Sequence, residues 1–342
     1  MPANRRYSNS VKAKTYLSLF TKPRCGVVTS IGSLSGSWFG GVLAQNGKIY
    51  GIPNGATNVL EIDPISRTTN TFGNVGSGTW NGGVLAPNGK IYAIPSRATT
   101  ILEIDPMAGI ATTFGSVSGG WVGGVLASNG KIYGIPDNGV TSILKIDPVA
   151  RTATTFASVS GGWSGGVLAS DGNVYGIPDS ATTILKIVPS TDTATTFGSV
   201  SGALNYNGGV LGLNGKIYGI PGVATTSILE INPTTGVVTT TSISSTKTSG
   251  PWYGGVLAPN GNIYGVPGFA ATTILEINTT TGISSQINYS IPSILRGWKG
   301  GVLDPSGKIY CIPDVADSVL EIGERTSEAP GDWLLSAYQN KF

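Results

Sequence analysis

The chain has 342 residues, of which none is histidine, 51 are glycine and 11% are charged, and its formal net charge is +3. The lack of histidine excludes a Ser-His-Asp or Cys-His nucleophile, an imidazole general base and any histidine-ligated metal. A hydrophobic content of 40% with few charges excludes a charged disordered chain.

The first segment, residues 1–24, is basic and predicts an arm outside the folded domain. It carries no acid and six basic residues: Arg5, Arg6, Lys12, Lys14, Lys22 and Arg24. The remaining chain has 15 basic residues against 18 acids, so the positive charge is concentrated in the arm. A basic arm suits an acidic surface on a partner protein. We expect no nucleic-acid partner. The arm lacks the apolar core of a secretory signal, and its acid-free composition resembles that of a mitochondrial transit peptide.

A repeat then dominates the sequence. A glycine pair followed by Val-Leu recurs seven times at intervals of 41 to 46 residues, beginning at Gly40, Gly82, Gly123, Gly165, Gly208, Gly254 and Gly300. Such a period indicates a repeat architecture.

Each repeat predicts four short strands, A to D. Strand A is a Val-Leu-Ala segment such as 84–86, and it ends at an Asn-Gly or Asp-Gly hairpin turn. Strand B is Lys-Ile-Tyr-Gly-Ile, closed by a proline that cannot donate to the ladder. Strand C is Ile-Leu-Glu-Ile, and strand D is a Thr-rich outer segment.

The two ends of the repeat region indicate a closed ring. The seventh repeat lacks its Thr-rich fourth strand, and residues 25–32 align with that strand in the other repeats. Only a ring needs such a closure, which disfavours a stacked solenoid. We therefore predict an all-β, seven-bladed β-propeller over residues 25–322, with an N-terminal strand completing the last blade and extended arms at 1–24 and 323–342.

The repeat N-G-K-I-Y-G-I-P-x-x-A-T-T-I-L-E-I-D-P-x-x-x-T-x-T-T-F-G resembles the YVTN-type propeller repeats over residues 25–322. The string W-x-G-G-V-L-A-P-N-G-K-I-Y-G-I-P is also similar to tandem propeller repeats encoded by bacteriophages and giant viruses. The resemblance implies the fold, whereas function transfers poorly because propellers include enzymes, lectins and scaffolds.

An aromatic column precedes the glycine pairs by two residues: Trp38, Trp80, Trp121, Trp163, Tyr206, Trp252 and Trp298. The favoured interpretation is structural, with each ring wedged between neighbouring blades. The alternative is stacking on sugars, with seven shallow pockets acting together.

Antiparallel connections assign the loops to two faces. The D–A and B–C connections share one face, here the loop face; the A–B and C–D turns share the other, here the turn face. The turn face is monotonous, whereas the residue before each glycine pair varies: Phe39, Asn81, Val122, Ser164, Asn207, Tyr253 and Lys299. The loop face is therefore the better candidate for binding, with Arg296, Trp298 and Lys299 as its sharpest local cluster.

Catalytic and metal-binding patterns are weak. The glutamates of strand C form one repeated column, which we expect to pair with lysines across the B–C hairpin. Cys25 and Cys311 fall on strands D and B of the closing blade, with strand C between them, which places them beyond disulfide reach. We expect no metal, no cofactor and no catalytic activity, although an enzyme that uses carboxylates at the ring axis stays a third alternative.

The tail contains Trp333, Leu334 and Tyr338, which could dock on a partner subunit or on the ring. We therefore predict a structural or adhesion propeller in a large assembly, such as a phage virion, anchored on other structural proteins by the arm and the tail. A multivalent lectin that binds host-surface glycan is the alternative. No apolar stretch is long enough for a membrane span.

Overall fold

A computed structural model describes residues 28–201, 205–243, 251–289 and 297–323. These residues form seven antiparallel sheets of four strands, which is the predicted seven-bladed β-propeller. Strand A of each blade contacts strand A of the next, and blade seven contacts blade one in the same way, so strand A is innermost and the ring is closed. No helix in the described part of the chain is long and apolar enough to cross a membrane.

Blades one to three follow one another directly along the chain. Blade one contains β2 (Trp38–Leu43), β3 (Ile49–Pro53), β4 (Asn58–Asp63) and β5 (Thr68–Asn74). Blade two contains β6 (Trp80–Leu85), β7 (Ile91–Pro95), β8 (Ile101–Asp105) and β9 (Ile110–Phe114). Blade three contains β10 (Trp121–Leu126), β11 (Ile132–Pro136), β12 (Ile143–Asp147) and β13 (Thr152–Phe156).

Blades four to six keep the same order. Blade four contains β14 (Trp163–Leu168), β15 (Val174–Pro178), β16 (Ile184–Val188) and β17 (Thr193–Phe197). Blade five contains β18 (Tyr206–Leu211), β19 (Ile217–Pro221), β20 (Ser227–Ile231) and β21 (Val238–Ser242). Blade six contains β22 (Trp252–Leu257), β23 (Asn262–Pro267), β24 (Thr273–Asn278) and β25 (Ser284–Asn288).

Blade seven is assembled from both ends of the repeat region. It contains β26 (Trp298–Leu303), β27 (Ile309–Pro313) and β28 (Val319–Ile322), and its outer strand is β1 (Val28–Ile31). Strand β1 pairs antiparallel with β28, so that Val28 lies opposite Ile322 and Ile31 opposite Val319. The predicted closure is therefore confirmed.

A buried ion cluster joins blade seven to blade one. Glu321 accepts hydrogen bonds from Arg67 Nη1 at 2.7 and 2.8 Å and also pairs with the buried Lys308. Burial alone would raise the pKa of Glu321, but the hydrogen bonds from Lys308 and Arg67 outweigh it and hold this pKa below its usual range. This contact fastens the two sides of the ring closure together.

Strand A differs from its prediction, because it begins at the aromatic residue rather than after the glycine pair. The register shifts between the aromatic residue and the second glycine in every blade, as between Trp38 and Gly41. The first glycine of each pair has a positive φ, between 72° and 82°. The pair is thus a β-bulge inside strand A, for which glycine has no steric cost.

The second glycine of each pair makes room for the neighbouring blade. A Cβ built on Gly124 would lie 2.5 Å from Ile94 Cδ1 and 3.2 Å from Val84 Cγ2, both on the preceding blade. The same clash with the preceding blade occurs at Gly41, Gly83, Gly166, Gly209, Gly255 and Gly301. The innermost strands can therefore pack together only because this side chain is missing.

We predict that Gly124→Ala destabilises the propeller by about 1–3 kcal/mol through overpacking against Ile94. Gly134→Ala in the same blade is the matched control, because the equivalent position of blade two is already Ala93. Chemical denaturation of both variants measures the difference. Equal losses of stability would contradict a special role for the glycine pair.

Candidate binding site at the centre of the ring

The variable column lies around the axis of the ring at its loop face. Each residue is the second of its strand A and stands directly before the glycine bulge. We call this set the mouth ring: Phe39, Asn81, Val122, Ser164, Asn207, Tyr253 and Lys299. All except Lys299 line one cavity of about 190 Å³, the mouth cavity, together with Asp137, Asp179 and Asn205.

Lys299 makes a compact contact at one side of the mouth. Its Nζ lies 3.0 Å from Asp314 Oδ2 and 5.1 and 5.4 Å from the ring centroids of Phe39 and Tyr253. The ammonium is therefore paired with a carboxylate and placed near two aromatic rings, from blades one and six. Of the predicted cluster of Arg296, Trp298 and Lys299, only Lys299 is shown in the mouth ring.

Two acids on neighbouring blades face the same cavity. Asp137 and Asp179 each follow the last residue of strand B, in blades three and four. Burial raises the pKa of Asp179, and the charge of Asp137 raises it further, against the hydrogen bond that Asn205 donates at 2.6 Å. Burial also raises the pKa of Tyr253, with contributions from the charges of Asp314 and Asp179. The mouth is therefore one shared electrostatic environment.

Side-chain amides line the cavity at Asn81, Asn205 and Asn207, and Asn54 binds the first of these from outside the lining. Asn54 donates to the carbonyl of Trp80 at 3.3 Å and to the side chain of Asn81. Asn207 is buried, and its Nδ2 donates to the carbonyl of Trp252 at 3.0 Å. Carboxylates, amides, hydroxyls and aromatic rings thus converge on one concave surface, as in many ligand-binding sites.

The column that follows strand B was missed as part of the candidate site. It reads Asn54, Ser96, Asp137, Asp179, Gly222, Gly268 and Asp314. Its variation was visible in the aligned repeats, in the same way as that of the mouth ring. What the repeats could not show is that the two columns meet at the axis.

The aromatic column is buried between blades. Trp121 is fully buried, belongs to a cluster with residues of blades two and three, and donates from Nε1 to the carbonyl of Ser142 at 2.8 Å. The other members are at most 1% exposed: Trp38, Trp80, Trp163, Tyr206, Trp252 and Trp298. Their placement favours the structural interpretation, because no ring face is open to a sugar.

The strand B tyrosines and the strand C glutamates lie towards the turn face. Tyr92 donates to the carbonyl of Pro148 in the next blade at 3.2 Å, and burial raises its pKa to about 12. The expected lysine–glutamate pairs are confirmed at 2.7–2.8 Å in three blades, as Lys48–Glu61, Lys90–Glu103 and Lys216–Glu230. These contacts connect strands and blades, away from the mouth cavity.

Several predicted residues fall outside the described ranges. They are Arg5, Arg6, Lys12, Lys14, Lys22, Arg24, Cys25, Arg296, Trp333, Leu334 and Tyr338. Cys311 is described and is buried. Within the described ranges, no group of three or more Cys, Asp or Glu residues is placed to hold a metal ion.

The fold defines the class of this protein, a seven-bladed β-propeller. No family model matches the sequence, and no curated protein is similar to it in sequence. Among solved structures, a streptogramin B lyase has a TM-score of 0.74 at 16% identity, covering 87% of this chain and 98% of its own. A catalytically inactive virginiamycin B lyase variant from Staphylococcus aureus, with a histidine replaced by alanine and crystallised with quinupristin, has a TM-score of 0.71 at 15% identity, covering 87% and 99%.

A third similar structure belongs to a different class of protein. It is described as the extracellular domain of a hybrid two-component system from Bacteroides thetaiotaomicron. Its TM-score is 0.64 at 11% identity, and the match covers 90% of this chain and 44% of that one. At sequence identities this low, the structural similarity shows a common fold and carries no function over to this chain.

The prediction that the chain is not an enzyme is wrong as an inference from its architecture. Lyases have the same fold, so a seven-bladed ring of near-equal repeats does not exclude catalysis. The prediction compared repeat columns one at a time. That comparison cannot show which side chains of different columns and blades the ring brings together at its axis.

We predict that Trp121→Ala lowers the free energy of unfolding by about 3–5 kcal/mol, because it removes a fully buried indole between two blades. Denaturant titration measures the loss. A Trp121→Phe variant should retain most of the packing and lose the hydrogen bond to Ser142. Normal stability of Trp121→Ala combined with lost glycan binding would favour the lectin.

The raised pKa of Asp179 predicts a pH-dependent effect of Asp179→Asn. The folded state binds this proton more tightly than the unfolded chain, so ionised Asp179 destabilises the fold as pH rises above the ordinary aspartate pKa of 3.8. Asp179→Asn should raise the melting temperature at pH 7, and the gain should shrink as pH falls through the raised pKa of Asp179 and vanish below the ordinary aspartate pKa of 3.8.

Asp63→Asn is the matched control for this pH dependence. Backbone hydrogen bonds from Ser66 and Ile65 lower the pKa of Asp63. Its ionised form therefore stabilises the fold, and that stability is lost as pH falls. Asp63→Asn should lower the melting temperature at pH 7, so melting curves of the two variants must shift in opposite directions there.

Proposed function

We propose that this chain is a binding propeller of a larger assembly, anchored from its turn face and presenting its loop face to a partner. The arm of residues 1–24 and the tail of residues 323–342 would bind other structural proteins of the assembly. The mouth ring would contact the partner that the assembly recognises. The proposal thus assigns anchoring and recognition of the partner to opposite faces of the ring.

The exit points of the propeller carry this proposal. Strand β28 runs from the loop face to the turn face, and β1 runs back beside it. Val28 and Ile322 are paired, so the described chain enters and leaves the ring side by side at the turn face. The mouth cavity lies at the opposite face, so anchoring through the two terminal segments at the turn face would leave it accessible.

The contrast between the two faces supports the same assignment. At the turn face, equivalent contacts recur around the ring, such as the lysine–glutamate pairs of three blades. At the loop face, equivalent positions carry different chemistry in each blade. A ring needs repeated contacts to hold its blades, whereas a surface that recognises one partner needs positions free to differ.

The lyases of similar structure bear on this proposal through one residue type, histidine. The virginiamycin B lyase variant that lost a histidine is catalytically inactive, and this chain contains no histidine. We therefore do not carry that histidine-dependent reaction over to this chain. What we carry over is that the shared fold can hold a ligand.

The phage-like repeat string suggests a virion as the assembly, made in the cytoplasm of the host cell. Under this hypothesis, the partner at the loop face is a component of the host surface. The assignment to a virion rests on the repeat resemblance alone and stays a prediction.

The proposal predicts that the basic arm, and not the mouth ring, determines incorporation into the assembly. We expect full-length chain expressed in its native source to elute well above 35.0 kDa. Replacing the six basic residues of the arm by glutamine should release it as a monomer: Arg5, Arg6, Lys12, Lys14, Lys22 and Arg24. Size-exclusion chromatography with light scattering measures the change.

Substitutions at the mouth serve as the control for this experiment. Ser164→Ala and Asn207→Ala change the mouth cavity and should leave the eluted mass unchanged. A monomeric wild-type chain in its native source would contradict the proposal. Loss of the large species on substitution of mouth residues alone would show that the loop face anchors the chain, which also contradicts the proposal.

A further inference from the structure

Blade seven contains an ion pair at the mouth between a lysine and an aspartate. Asp137, Asp179 and Asp314 occupy one position of the repeat, directly after strand B. In blade seven, the mouth-ring residue of the same blade is Lys299, whose ammonium pairs with Asp314 at 3.0 Å. The chain thus contains its own example of a cation bound to this aspartate position.

Blades three and four have the aspartate without the lysine. Their mouth-ring residues are Val122 and Ser164, which carry no charge. Among the described residues, no lysine or arginine forms an ion pair with Asp137 or Asp179. Both carboxylates line the mouth cavity, and the raised pKa of Asp179 reflects burial and the neighbouring charge of Asp137. A cation entering here would neutralise two close acids.

An accessible oxygen on a largely buried residue points to a ligand independently of these acids. Asn207 is only 8% exposed, and its nitrogen donates to the carbonyl of Trp252. Its oxygen accepts no hydrogen bond from a described residue, yet no fully enclosed side-chain oxygen in the described chain lacks a partner. The oxygen is therefore accessible, and because Asn207 lines the mouth cavity, it can accept a hydrogen bond from a donor that enters.

The rim beside the cavity is apolar on one side. Three consecutive blades, five to seven, carry an exposed hydrophobic residue at the second position after strand B: Val223, Phe269 and Val315. Blades one to four have Gly55, Arg97, Asn138 and Ser180 there. We call the first set the apolar arc. The loop face therefore combines an acidic cavity with an apolar rim.

We propose that the mouth cavity binds a lysine or arginine side chain of a partner protein, whose neighbouring apolar residues cover the apolar arc. This inference rests on the proposed function, in which the loop face meets the partner. The cation would lie between Asp137 and Asp179 and donate to the oxygen of Asn207. Charge complementarity sets the occupant, and Lys299 beside Phe39 and Tyr253 is its internal counterpart.

A basic side chain fits this lining better than a metal ion. Two carboxylates line the mouth cavity, and no group of three or more metal-binding side chains is found in the described chain. Divalent calcium takes six to eight oxygen ligands, whereas an ammonium needs about three acceptors at hydrogen-bond distance. Asp137, Asp179 and Asn207 provide three.

The test titrates small probes into isotope-labelled full-length protein and follows the backbone amide signals of Ser164 and Asn207 by NMR. The probes are N-acetyl-lysine methylamide, N-acetyl-arginine methylamide, neutral N-acetyl-norleucine methylamide, calcium chloride and methyl glucoside. We expect saturable shifts with the two basic probes and none with the norleucine probe. The Asp137→Asn/Asp179→Asn double variant should weaken the binding of the basic probes at least about tenfold.

Asp317→Asn is the matched control, because Asp317 is an exposed acid of the loop face outside the mouth cavity, and this variant should bind like wild type. The tripeptide acetyl-Leu-Lys-Leu-amide should bind more tightly than acetyl-Gly-Lys-Gly-amide, and Phe269→Asp should abolish that difference. Absence of shifts with basic probes, tighter binding of calcium, or unchanged binding by the double variant would overturn the inference.

The probe set also separates this inference from the proposed function. Saturable shifts with methyl glucoside or norleucine probes alone would overturn the cationic ligand while keeping a partner-binding mouth. A monomeric chain in its native source would overturn the anchored assembly, whatever the mouth binds. Each failure therefore has its own signature.

Discussion

The close approach of neighbouring innermost strands is the constraint on which the rest of the propeller depends. It exists because the second glycine of each pair leaves a space that an isoleucine or valine of the preceding blade fills. The first glycine supplies the positive φ of the bulge, and the aromatic residue two positions before it fills the wedge between blades. Three of the four residues in this segment are thereby restricted in every repeat.

The fourth residue of the segment is free to vary. This position can therefore carry side chains that serve binding without disturbing the fold. The mouth-ring residue stands between the buried aromatic residue and the bulge, and in six blades it lines the mouth cavity. Neither the glycine bulge nor the buried aromatic residue requires a particular side chain at this position, so Phe39, Asn81 and Lys299 are all compatible with the same backbone. The positions at which the fold restricts the residue type most thus lie directly beside the position at which it restricts it least.

Electrostatics make the mouth different from the remaining ring. Elsewhere, acids and bases pair within a blade or across one interface, as in Lys90–Glu103 and Arg67–Glu321. At the mouth, Lys299 and Asp314 follow that rule, whereas Asp137 and Asp179 share a cavity in which burial, together with the charge of Asp137, raises the pKa of Asp179. Proteins often retain such a local cost to stability where binding needs it.

The sequence by itself determined the number of blades, the strand order, the two faces and an outer strand within residues 25–32, where the structure has Val28–Ile31, because these follow from period, turn residues and alternation. It also determined that the residue before each glycine pair varies. Only the tertiary structure decided that Trp121 is sealed between blades, that strand A begins before its bulge, and that Asp137, Asp179 and Asn207 meet in one cavity. The physical reason is that pattern reports local geometry within one repeat, whereas the mouth is made by side chains of different blades that converge only when the ring closes.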